Sequence, residues 1–382
     1  MTHSIGILGG GQLGRMLTLE AKRMGYRVVV LEPLTNSPTG QIADEQIVSA
    51  YDDLRFIGEL GARTDVVTYE FENIPLVSIE ALEADRRLVR PSGAVLRITQ
   101  ERLLEKQFVR DCGIATVDYA ALRTVDDVPA AIERIGFPAV LKTTMGGYDG
   151  KGQWLVRSDA DVLDAIAAAR GRPLIYEAFT PFEKELSIVC ARNAVGDVVT
   201  YPVAENQHDR GVLATTIVPA RIPAAVAEAV RRSAETIAAG LDIIGAFAIE
   251  YFLSGDELLV NEIAPRVHNT GHYSLDAATV SQYEAHVRAI CDLPLVPPRM
   301  LVPAVVMVNI LGGGNGDELG GVNELLRDPD VKLHMYGKAH AALRRKMGHF
   351  TVLGADADDA LRKAEVGRRK LHWIDNRAVS RA

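Results

Sequence analysis

Apolar runs, glycine turns and helical periodicity alternate in the first hundred residues. An apolar run at residues 4–8 is followed by a glycine turn at residues 9–14 and by apolar side chains at helical spacing over residues 16–24. This order predicts strand, turn and helix. Two further apolar runs, at residues 26–31 and 65–70, predict additional strands. Strands and helices in this order indicate a doubly wound, Rossmann-like α/β domain, in which ligands bind at the carboxyl ends of the strands.

Hairpins become more frequent after this first domain. Residues 100–112 predict an amphipathic helix that leads into the second region. Apolar segments of that region predict strands at residues 139–143, 153–157, 174–176 and 185–191, and alanine-rich helices at residues 159–169 and 224–239. Prolines between positions 294 and 298 mark the next boundary, after which short strands and glycine turns follow. We therefore expect three domains: α/β at residues 1–100, α+β at residues 101–295, and a small β-rich domain at residues 296–382.

The composition is that of an ordinary globular protein. Of the 382 residues, 48% are hydrophobic and 24% are charged, and the net charge of -8 argues against a nucleic-acid partner. Cys112, Cys190 and Cys291 lie far apart and lack metal-ligand spacing, which fits a reducing compartment. The first residues contain neither a basic segment nor a long apolar stretch, so we expect no secretion signal and no membrane span. These features predict a cytoplasmic protein with no nucleic-acid and no membrane partner.

Polar chemistry is concentrated in residues 261–272, at the end of an apolar strand. Within twelve residues the segment holds a carboxylate, an arginine, two histidines and two asparagines. Residues 246–252 form a preceding apolar strand that contains one acid, Glu250, and residues 254–256 predict a hairpin turn between the strands. The hairpin would place Glu250 near Glu262, and two such carboxylates repel unless a divalent cation lies between them. We expect Mg²⁺ brought by a nucleotide; the alternative is that Glu250 points to solvent from an edge strand.

The first glycine turn has three open interpretations. Gly9, Gly11 and Gly14 satisfy G-x-G-x-x-G after a strand, and Glu32 ends the next strand, as a ribose-binding acid would in a nicotinamide dinucleotide site. However, a glycine turn that opens a helix binds any phosphate through backbone N–H groups and the helix dipole. A dinucleotide site, another phosphate site and a purely structural turn all remain possible on this motif alone.

A second glycine-rich loop, at residues 146–152, joins two predicted strands. It lacks the spacing of a Walker loop and does not open a helix. Its glycines let the backbone approach a polyphosphate, while Lys142 and Lys151 supply positive charge. The alternative is a long mobile hairpin without a ligand.

We call the loop at residues 146–152 the flap. Several single side chains indicate a nucleotide site only in combination with it. Glu177, with backbone atoms near it, is placed to meet an adenine amino group, and Glu185 to accept ribose hydroxyl groups. Without the flap both acids would be ordinary surface charges. Arg102 and His208 are likewise unremarkable alone and informative as members of the set.

Taken in chain order, these features resemble the ATP-grasp superfamily, whose two α+β lobes hold ATP between them. The resemblance rests on Lys142, the flap at residues 146–152, Glu177, Glu185, Glu250, Asn261 and Glu262. More narrowly, the motifs at residues 9–14, 146–152, 205–208, 261–273 and 345–349 resemble the 5-(carboxyamino)imidazole ribonucleotide synthetase family of purine biosynthesis, almost from end to end. The resemblance implies a lid lobe at about residues 115–185 of the central domain.

The resemblance implies a reaction, cofactors and partners. ATP with Mg²⁺ phosphorylates bicarbonate, and carboxyphosphate, or carbon dioxide released from it, is captured by the amino group of 5-aminoimidazole ribonucleotide. Such an enzyme is a carbon–nitrogen ligase that forms ADP and phosphate and needs no covalent protein nucleophile. The family also implies a homodimer.

The resemblance further assigns site residues. ATP would contact Arg102, Lys142, Gly147, Tyr148, Asp149, Gly150, Lys151, Gly152, Gln153, Glu177, Ala178, Phe179, Thr180, Glu185, His208, Asn261 and Glu262. Magnesium would be held by Glu250 and Glu262. Catalysis would involve Tyr148, Asp149, Arg266, His268, Asn269 and Lys346. The ribonucleotide would contact Gly11, Gln12, Leu13, Glu72, Tyr148 and Lys346, with Glu72 chosen over Glu70 from the alignment of the motif. The chain departs from the family pattern at Leu343, Arg344, Val267 and Ser274, which bears on loop conformation, and Ala264 stands where the wider superfamily has an asparagine for the metal.

Other functions leave part of the sequence without a role. A formate-dependent glycinamide ribonucleotide transformylase also makes an acyl phosphate for an amine, but residues 266–272 and the motif around Lys346 favour bicarbonate. An NAD-dependent oxidoreductase would use Gly9 to Gly14 and Glu32, yet it would leave the flap and the Glu250–Glu262 pair unused. A non-catalytic nucleotide-binding module would not need every charged position that is present.

Overall fold

The N-terminal domain is built on a parallel sheet with the strand order β3–β2–β1–β4. The computed structural model describes residues 3–147 and 150–375. The strands are β1 (Ser4–Leu8), β2 (Arg27–Leu31), β3 (Glu45–Ile47) and β4 (Val66–Tyr69), and the helices are α1 (Gln12–Arg23), α2 (Leu54–Arg63), α3 (Leu76–Ala84) and α4 (Gly93–Gln100). The strands are apolar on both faces because helices cover the sheet. The predicted doubly wound α/β domain is confirmed.

A lid lobe follows the helix α5 (Arg102–Asp111). Its antiparallel strands run in the order β5–β8–β6–β7, as β5 (Tyr119–Leu122), β6 (Ala139–Thr143), β7 (Gln153–Val156) and β8 (Leu174–Ala178). The helices α6 (Val128–Ile135) and α7 (Asp159–Ala169) pack their apolar faces on this sheet. The predicted flap therefore joins β6 to β7 as a hairpin connection.

The base lobe is a larger antiparallel sheet, in which β14 is an edge strand. Its strands are β9 (Lys184–Arg192), β10 (Val198–Thr200), β11 (Ala204–Asp209), β12 (Val212–Val218), β13 (Gly245–Ser254) and β14 (Glu257–Ala264). Its helices are α8 (Ala224–Leu241), α9 (Ser274–Ala277) and α10 (Gln282–Ile290). A shared core connects α10 with α1 of the N-terminal domain, through contacts that include Tyr283 and Met16. The two domains thus pack on each other and enclose space between them.

The C-terminal strands continue the base sheet. They are β15 (Ala304–Leu311), β16 (Glu318–Gly320), β17 (Val331–Met335), β18 (Lys346–Gly354) and β19 (His372–Ile374), with the helices α11 (Val322–Leu325) and α12 (Ala357–Lys370). Strand β15 pairs with β12, and the full order is β14–β13–β9–β11–β12–β15–β18–β17, with β10 beside β9. The expected small β-rich C-terminal domain is present, and its main strands are hydrogen-bonded to the central one.

Two smaller expectations concern membranes and the basic run at residues 367–370, which the sequence predicts to be a solvated face near the end of the chain. Residues 368–370 form the last turn of α12, where positive side chains offset the partial negative charge of a helix C-terminus. This position agrees with the interpretation of the run as a solvated face.

In the described part of the chain, no helix has the length and apolar character needed to cross a membrane.

Candidate active site

A cavity of 1430 Å³ lies where the N-terminal domain, the lid, the base and the C-terminal strands meet. From the lid it is lined by Lys142, Gly147, Gly150, Lys151, Gly152, Gln153, Glu177, Ala178, Phe179 and Thr180. From the base it is lined by Glu185, His208, Glu250, Asn261, Glu262, Arg266, His268 and Asn269, and from the other elements by Gln12, Leu13, Glu72, Arg102 and Lys346. Among the predicted residues that the structure describes, Gly11 alone does not line it. Tyr148 and Asp149 lie outside the described residues.

The predicted acid pair is formed by direct cross-strand neighbours. Glu250 of β13 is opposite Glu262 of β14, and a register shift follows immediately, so that Tyr251 pairs with Val260 and Asn261 is the extra residue of a β-bulge. The Glu250 side chain is 17% exposed, which excludes the alternative that it points freely into solvent. Burial, with repulsion from Glu262, raises the pKa of Glu250 to about 7. The pair therefore favours a cationic partner.

The lysine at the end of β6 is held by a buried carboxylate. Lys142 Nζ lies 2.6 Å from Glu177 Oε2, and Lys106 Nζ lies 3.3 Å from Glu177 Oε1. Burial opposes ionisation of Glu177, but the two ammonium groups outweigh it and lower its pKa to about 2. The sequence placed this carboxylate against an adenine amino group. Its oxygens face two lysines, Glu177 also lines the cavity, and the expected contact with adenine stays a prediction.

A histidine and an acid pair on the floor of the cavity. His208 Nδ1 lies 2.5 Å from Glu185 Oε2. Burial lowers the pKa of His208, but the hydrogen bond to Glu185 and the charge of Glu250 raise it by more. The net shift is upward, so His208 carries positive charge more readily than a free histidine and keeps Glu185 oriented at the rim expected for a ribose.

The residues expected to bind bicarbonate lie beside the acid pair. Arg266 Nε donates to Glu72 Oε2 over 2.5 Å, and His268 Nε2 lies 3.7 Å from Glu250 Oε1. Burial, together with the charges of Arg266 and Lys346, lowers the pKa of His268 well below its ordinary value. His268 is therefore a neutral ring beside a fixed guanidinium group.

Asn269 lines the cavity and is held by a strand of the C-terminal region. Its side-chain nitrogen donates to Asn309 Oδ1 over 3.2 Å, and its side-chain oxygen accepts from Asn309 Nδ2 over 2.8 Å. It touches the cavity, but both ends of its amide are engaged with β15. The observed contacts show a residue that fastens the segment after β14 to the C-terminal strands.

The first glycine turn already holds an anion of the protein itself. Glu70 accepts hydrogen bonds from Gly11 N–H and from Gly14 N–H, the latter over 2.6 Å, at the start of α1. A Cβ added to Gly11 would lie 2.5 Å from Glu70 Oε1, which explains the glycine at that position. The Gly11 N–H group is therefore engaged by Glu70 in this structure, and the expected contact of Gly11 with the ribonucleotide stays a prediction. Glu72 instead faces the cavity.

Glu32 is also committed within the protein. Its carboxylate accepts from Gly10 N–H over 2.8 Å and from the Tyr51 hydroxyl group. It is buried beneath the turn. Because a ribose-binding acid must be open to the ligand, this arrangement contradicts the dinucleotide interpretation of the motif.

Sequence reasoning missed four charged groups among the described residues at the cavity: Arg210, Lys338, Arg344 and Arg345. Lys338 Nζ donates to Gln12 Oε1 and to the Lys346 carbonyl oxygen, both over 2.7 Å, and Arg345 lines the cavity next to Lys346. Lys338 follows β17 after a tyrosine and a glycine, so it shows only a weak form of the strand-end signal that identified Lys142. The strand is short and only partly apolar, so the signal is weak.

Arg344 shows how one departure from the family pattern is accommodated. Its backbone has φ +64°, in the left-handed region that favours glycine. The side chain donates to the carbonyl oxygens of Asp209 and Arg210 in the β11–β12 turn. These contacts compensate for the unfavourable backbone conformation and attach the loop before Lys346 to the base lobe.

Family models match each of the three regions. Residues 1–100 match the ribonucleotide synthetase pre-ATP-grasp domain, residues 107–283 the ATP-grasp domain, and residues 305–363 the phosphoribosylaminoimidazole carboxylase C-terminal domain. Together with a cavity between two lobes, these matches define an ATP-grasp enzyme.

The similarity extends over whole proteins. The N5-carboxyaminoimidazole ribonucleotide synthase of Bacillus subtilis is 41% identical over 360 residues, which are 93% of this chain and 92% of the relative. A crystal structure of an N5-carboxyaminoimidazole ribonucleotide synthetase in complex with ADP is 43% identical, with a TM-score of 0.90 and 96% of each chain covered. The Aspergillus clavatus synthase in complex with ADP and 5-aminoimidazole ribonucleotide is 30% identical, with a TM-score of 0.89 and coverage of 97% and 98%. The chain belongs to the N5-carboxyaminoimidazole ribonucleotide synthase family, and it is an ATP-dependent ligase of purine biosynthesis.

Proposed function

We propose that this chain uses ATP and Mg²⁺ to phosphorylate bicarbonate and transfers the carboxyl group to the amine of 5-aminoimidazole ribonucleotide. One observation carries the proposal. The acid pair Glu250 and Glu262 adjoins the basic residues Arg266 and Lys346 in a single cavity. A cation site next to an anion site is what phosphoryl transfer from ATP to a small anion requires.

The residues present fit Mg²⁺. Glu250 and Glu262 offer carboxylate oxygens, and the buried Asn261 Oδ1 has no hydrogen-bond partner among the described residues. Magnesium prefers oxygen ligands and is commonly held by one or two carboxylates together with nucleotide phosphates. When bound, it neutralises negative charge on the phosphates. Lys142 adds a second positive charge from the lid.

The acceptor side fits a small anion. The Arg266 guanidinium, fixed by Glu72, and the Lys346 ammonium supply positive charge, and the neutral His268 supplies a ring nitrogen next to Glu250. These groups bind bicarbonate, hold it for attack on the terminal phosphate of ATP, and then stabilise carboxyphosphate. Closure of the lid excludes water, on which the lifetime of carboxyphosphate depends.

We place the ribonucleotide between the N-terminal domain and the C-terminal strands. Gln12 and Leu13 line this side of the cavity, and Lys338 and Arg345 supply positive charge for a phosphate. This placement does not require the Gly11 N–H group, which donates to Glu70. The expected contribution of Tyr148 and Asp149 to the amine stays a prediction.

Phosphate release tests the proposed acceptor. We expect release from ATP and Mg²⁺ to depend on bicarbonate, and the carboxylated product to form only when 5-aminoimidazole ribonucleotide is also added. The assay is run with bicarbonate, with formate and with neither, in carbonate-depleted buffer. Stimulation by formate alone would show a transformylase and refute the proposal.

The pKa of Glu250 predicts a pH dependence of metal binding. Because burial raises this pKa from 4.5 to about 7, protons compete with Mg²⁺ for the carboxylate below pH 7. With ADP present, we expect the apparent Mg²⁺ affinity to fall by up to about tenfold per pH unit below that value. Titration calorimetry at several pH values measures it. An affinity that follows only the titration of free ADP would contradict the prediction.

The raised pKa of Glu250 also predicts how the stability of the fold depends on pH. A carboxyl group whose pKa is raised in the folded state stabilises the fold below its ordinary pKa, and this contribution is lost as the pH rises through about 7. In the metal-free protein, Glu250→Gln should therefore remove part of the decrease in the free energy of unfolding between about pH 5 and 8. Urea denaturation at matched pH values measures the difference.

Domain limits and assembly remain proposals. We propose the limits 1–100, 101–295 and 296–382, which contain the three family matches at residues 1–100, 107–283 and 305–363. We also propose a homodimer in the cytoplasm, as the family resemblance implies, and sedimentation equilibrium tests the dimer.

A further inference from the structure

The buried face of α5 carries ionisable side chains where an amphipathic helix would be apolar. Arg102, Glu105 and Lys106 lie at helical spacing on one face, and Glu105 and Lys106 are only 3% and 1% exposed. Burial of an ionised side chain is unfavourable unless it has partners. The contacts of these three residues therefore indicate what the face holds in place.

All three side chains contact consecutive residues of β14. Lys106 Nζ donates to the Asn261 carbonyl oxygen over 3.4 Å, and Arg102 Nη1 lies 3.4 Å from Glu262 Oε2. Glu105 accepts from the Ile263 N–H group over 2.6 Å. Because β14 is an edge strand with a bulge at Asn261, the Asn261 carbonyl oxygen and the Ile263 N–H group face away from β13 and lack partners on a further strand. Helix α5 thus fixes the bulge that presents Asn261 and Glu262 to the cavity.

Lys106 also reaches the lid. Its ammonium group lies 3.3 Å from Glu177 of β8, whose other carboxylate oxygen binds Lys142 of β6 at 2.6 Å. A third contact, 3.2 Å to Thr116 Oγ1, comes from the segment that joins α5 to the lid. One ammonium group therefore contacts the base strand and the lid strand at the same time.

We propose that Lys106 is a positioning residue that aligns Glu262 of the base lobe with Lys142 of the lid lobe around the triphosphate of ATP. The inference rests on the proposed function, in which the triphosphate lies between these two side chains. Phosphoryl transfer depends mainly on position and charge, so a small shift of either lobe lowers the rate of the chemical step.

The charge of Lys106 matters as well as its reach. Glu177 carries one negative charge between two ammonium groups, which leaves one positive charge in excess. Without Lys106, the buried carboxylate would neutralise Lys142 alone and reduce its attraction for the terminal phosphate of ATP, which ADP lacks. Lys106 thus neutralises Glu177 while Lys142 serves the nucleotide.

The variant Lys106→Met tests this role because it keeps the length of the side chain and removes its charge. We expect kcat for ADP formation at saturating substrates to fall at least about tenfold, while the Kd for ADP changes less than about threefold. A residue that only stabilises the fold would lower Tm without changing kcat of the folded protein. Kinetics, ADP titration and thermal melts are measured on the same preparation.

Lys184→Met is the matched control. Lys184 pairs with Glu205 at 2.8 Å within the base sheet, and Arg221 still neutralises Glu205 when Lys184 is lost. Neither Lys184 nor its partner lines the cavity. We expect a kcat within about twofold of wild type. The substitution removes a lysine–carboxylate pair that lies within one lobe and does not connect the base to the lid.

Lys106→Gln is the second variant, and it decides the question should Lys106→Met not fold. Glutamine can still donate a hydrogen bond but cannot neutralise Glu177, so kcat should again fall. A folded variant at either substitution with kcat within about twofold of wild type overturns the proposal. ADP formation is compared with wild type under whichever acceptor supports turnover. Turnover by wild type without bicarbonate refutes the proposed function. The ratio of kcat between the Lys106 variant and wild type can still be measured in that case, so the role of Lys106 is tested separately.

Discussion

Glu262→Gln should lower kcat for ADP formation by about a thousandfold, with little change in the fold. Glutamine preserves the size of the side chain and removes the negative charge opposite Glu250. The proposed Mg²⁺ would then lose one of two carboxylates, and the charge on the transferred phosphate would be neutralised less well. Steady-state kinetics over a range of Mg²⁺ concentrations measure the effect, and circular dichroism verifies the fold.

The same variant gives a second readout at Glu250. Repulsion from Glu262 is one cause of the raised pKa of Glu250, after burial, so removing that charge should move this pKa towards its ordinary value. The pH dependence of Mg²⁺ binding should shift downward accordingly. Glu257→Gln, at the exposed start of the same strand, is the control and should keep normal kinetics. Unchanged turnover in Glu262→Gln would remove the acid pair from the reaction.

Lys346→Ala should abolish carboxylation, with a loss of at least about a hundredfold, and keep the affinity for ATP. Lys346 lies at the start of β18, lines the cavity, and acts electrostatically on Glu250 and His268 of the base lobe. Its backbone should stay in place, because Lys338 donates to the Lys346 carbonyl oxygen. Product formation with bicarbonate and 5-aminoimidazole ribonucleotide is measured together with ATP binding.

Lys332→Ala is the control for this variant, since Lys332 is an exposed lysine on the neighbouring strand β17. Its product formation should equal that of wild type. If Lys346→Ala forms product normally, Lys346 has no part in the reaction. A parallel loss of ATP affinity would instead place Lys346 in the nucleotide site and contradict the division of the cavity proposed above.

Local patterns predicted the chemistry of the central hairpin well. Glu250 and Glu262 lie on adjacent strands joined by a short turn, so their pairing follows from sequence distance and alternation alone. The flap and Lys142 were similarly visible, because a strand that ends in a lysine before a glycine-rich loop is a local signal. The predicted nucleotide and metal site therefore rested mainly on residues that are close to each other in the sequence.

Long-range contacts account for the corrections. Glu70 is 59 residues from Gly11, and no periodicity reveals that its carboxylate occupies the glycine turn. Lys106 is 155 residues from Asn261, and a charged residue in an amphipathic pattern is normally assigned to the solvent face. The pairing of β12 with β15 is likewise determined by tertiary packing. Such contacts depend on the assembled fold.

The unbroken sheet from β14 to β18 has a consequence for the order of events in catalysis. Glu250 and Glu262 lie on strands of the same sheet that carries Lys346, so backbone hydrogen bonds run continuously from one to the other. We therefore expect this floor to be preassembled, with closure of the lid bringing Lys142 and the flap towards it. In the proposed reaction, we therefore expect bicarbonate to meet charged partners that are already in place before ATP is enclosed.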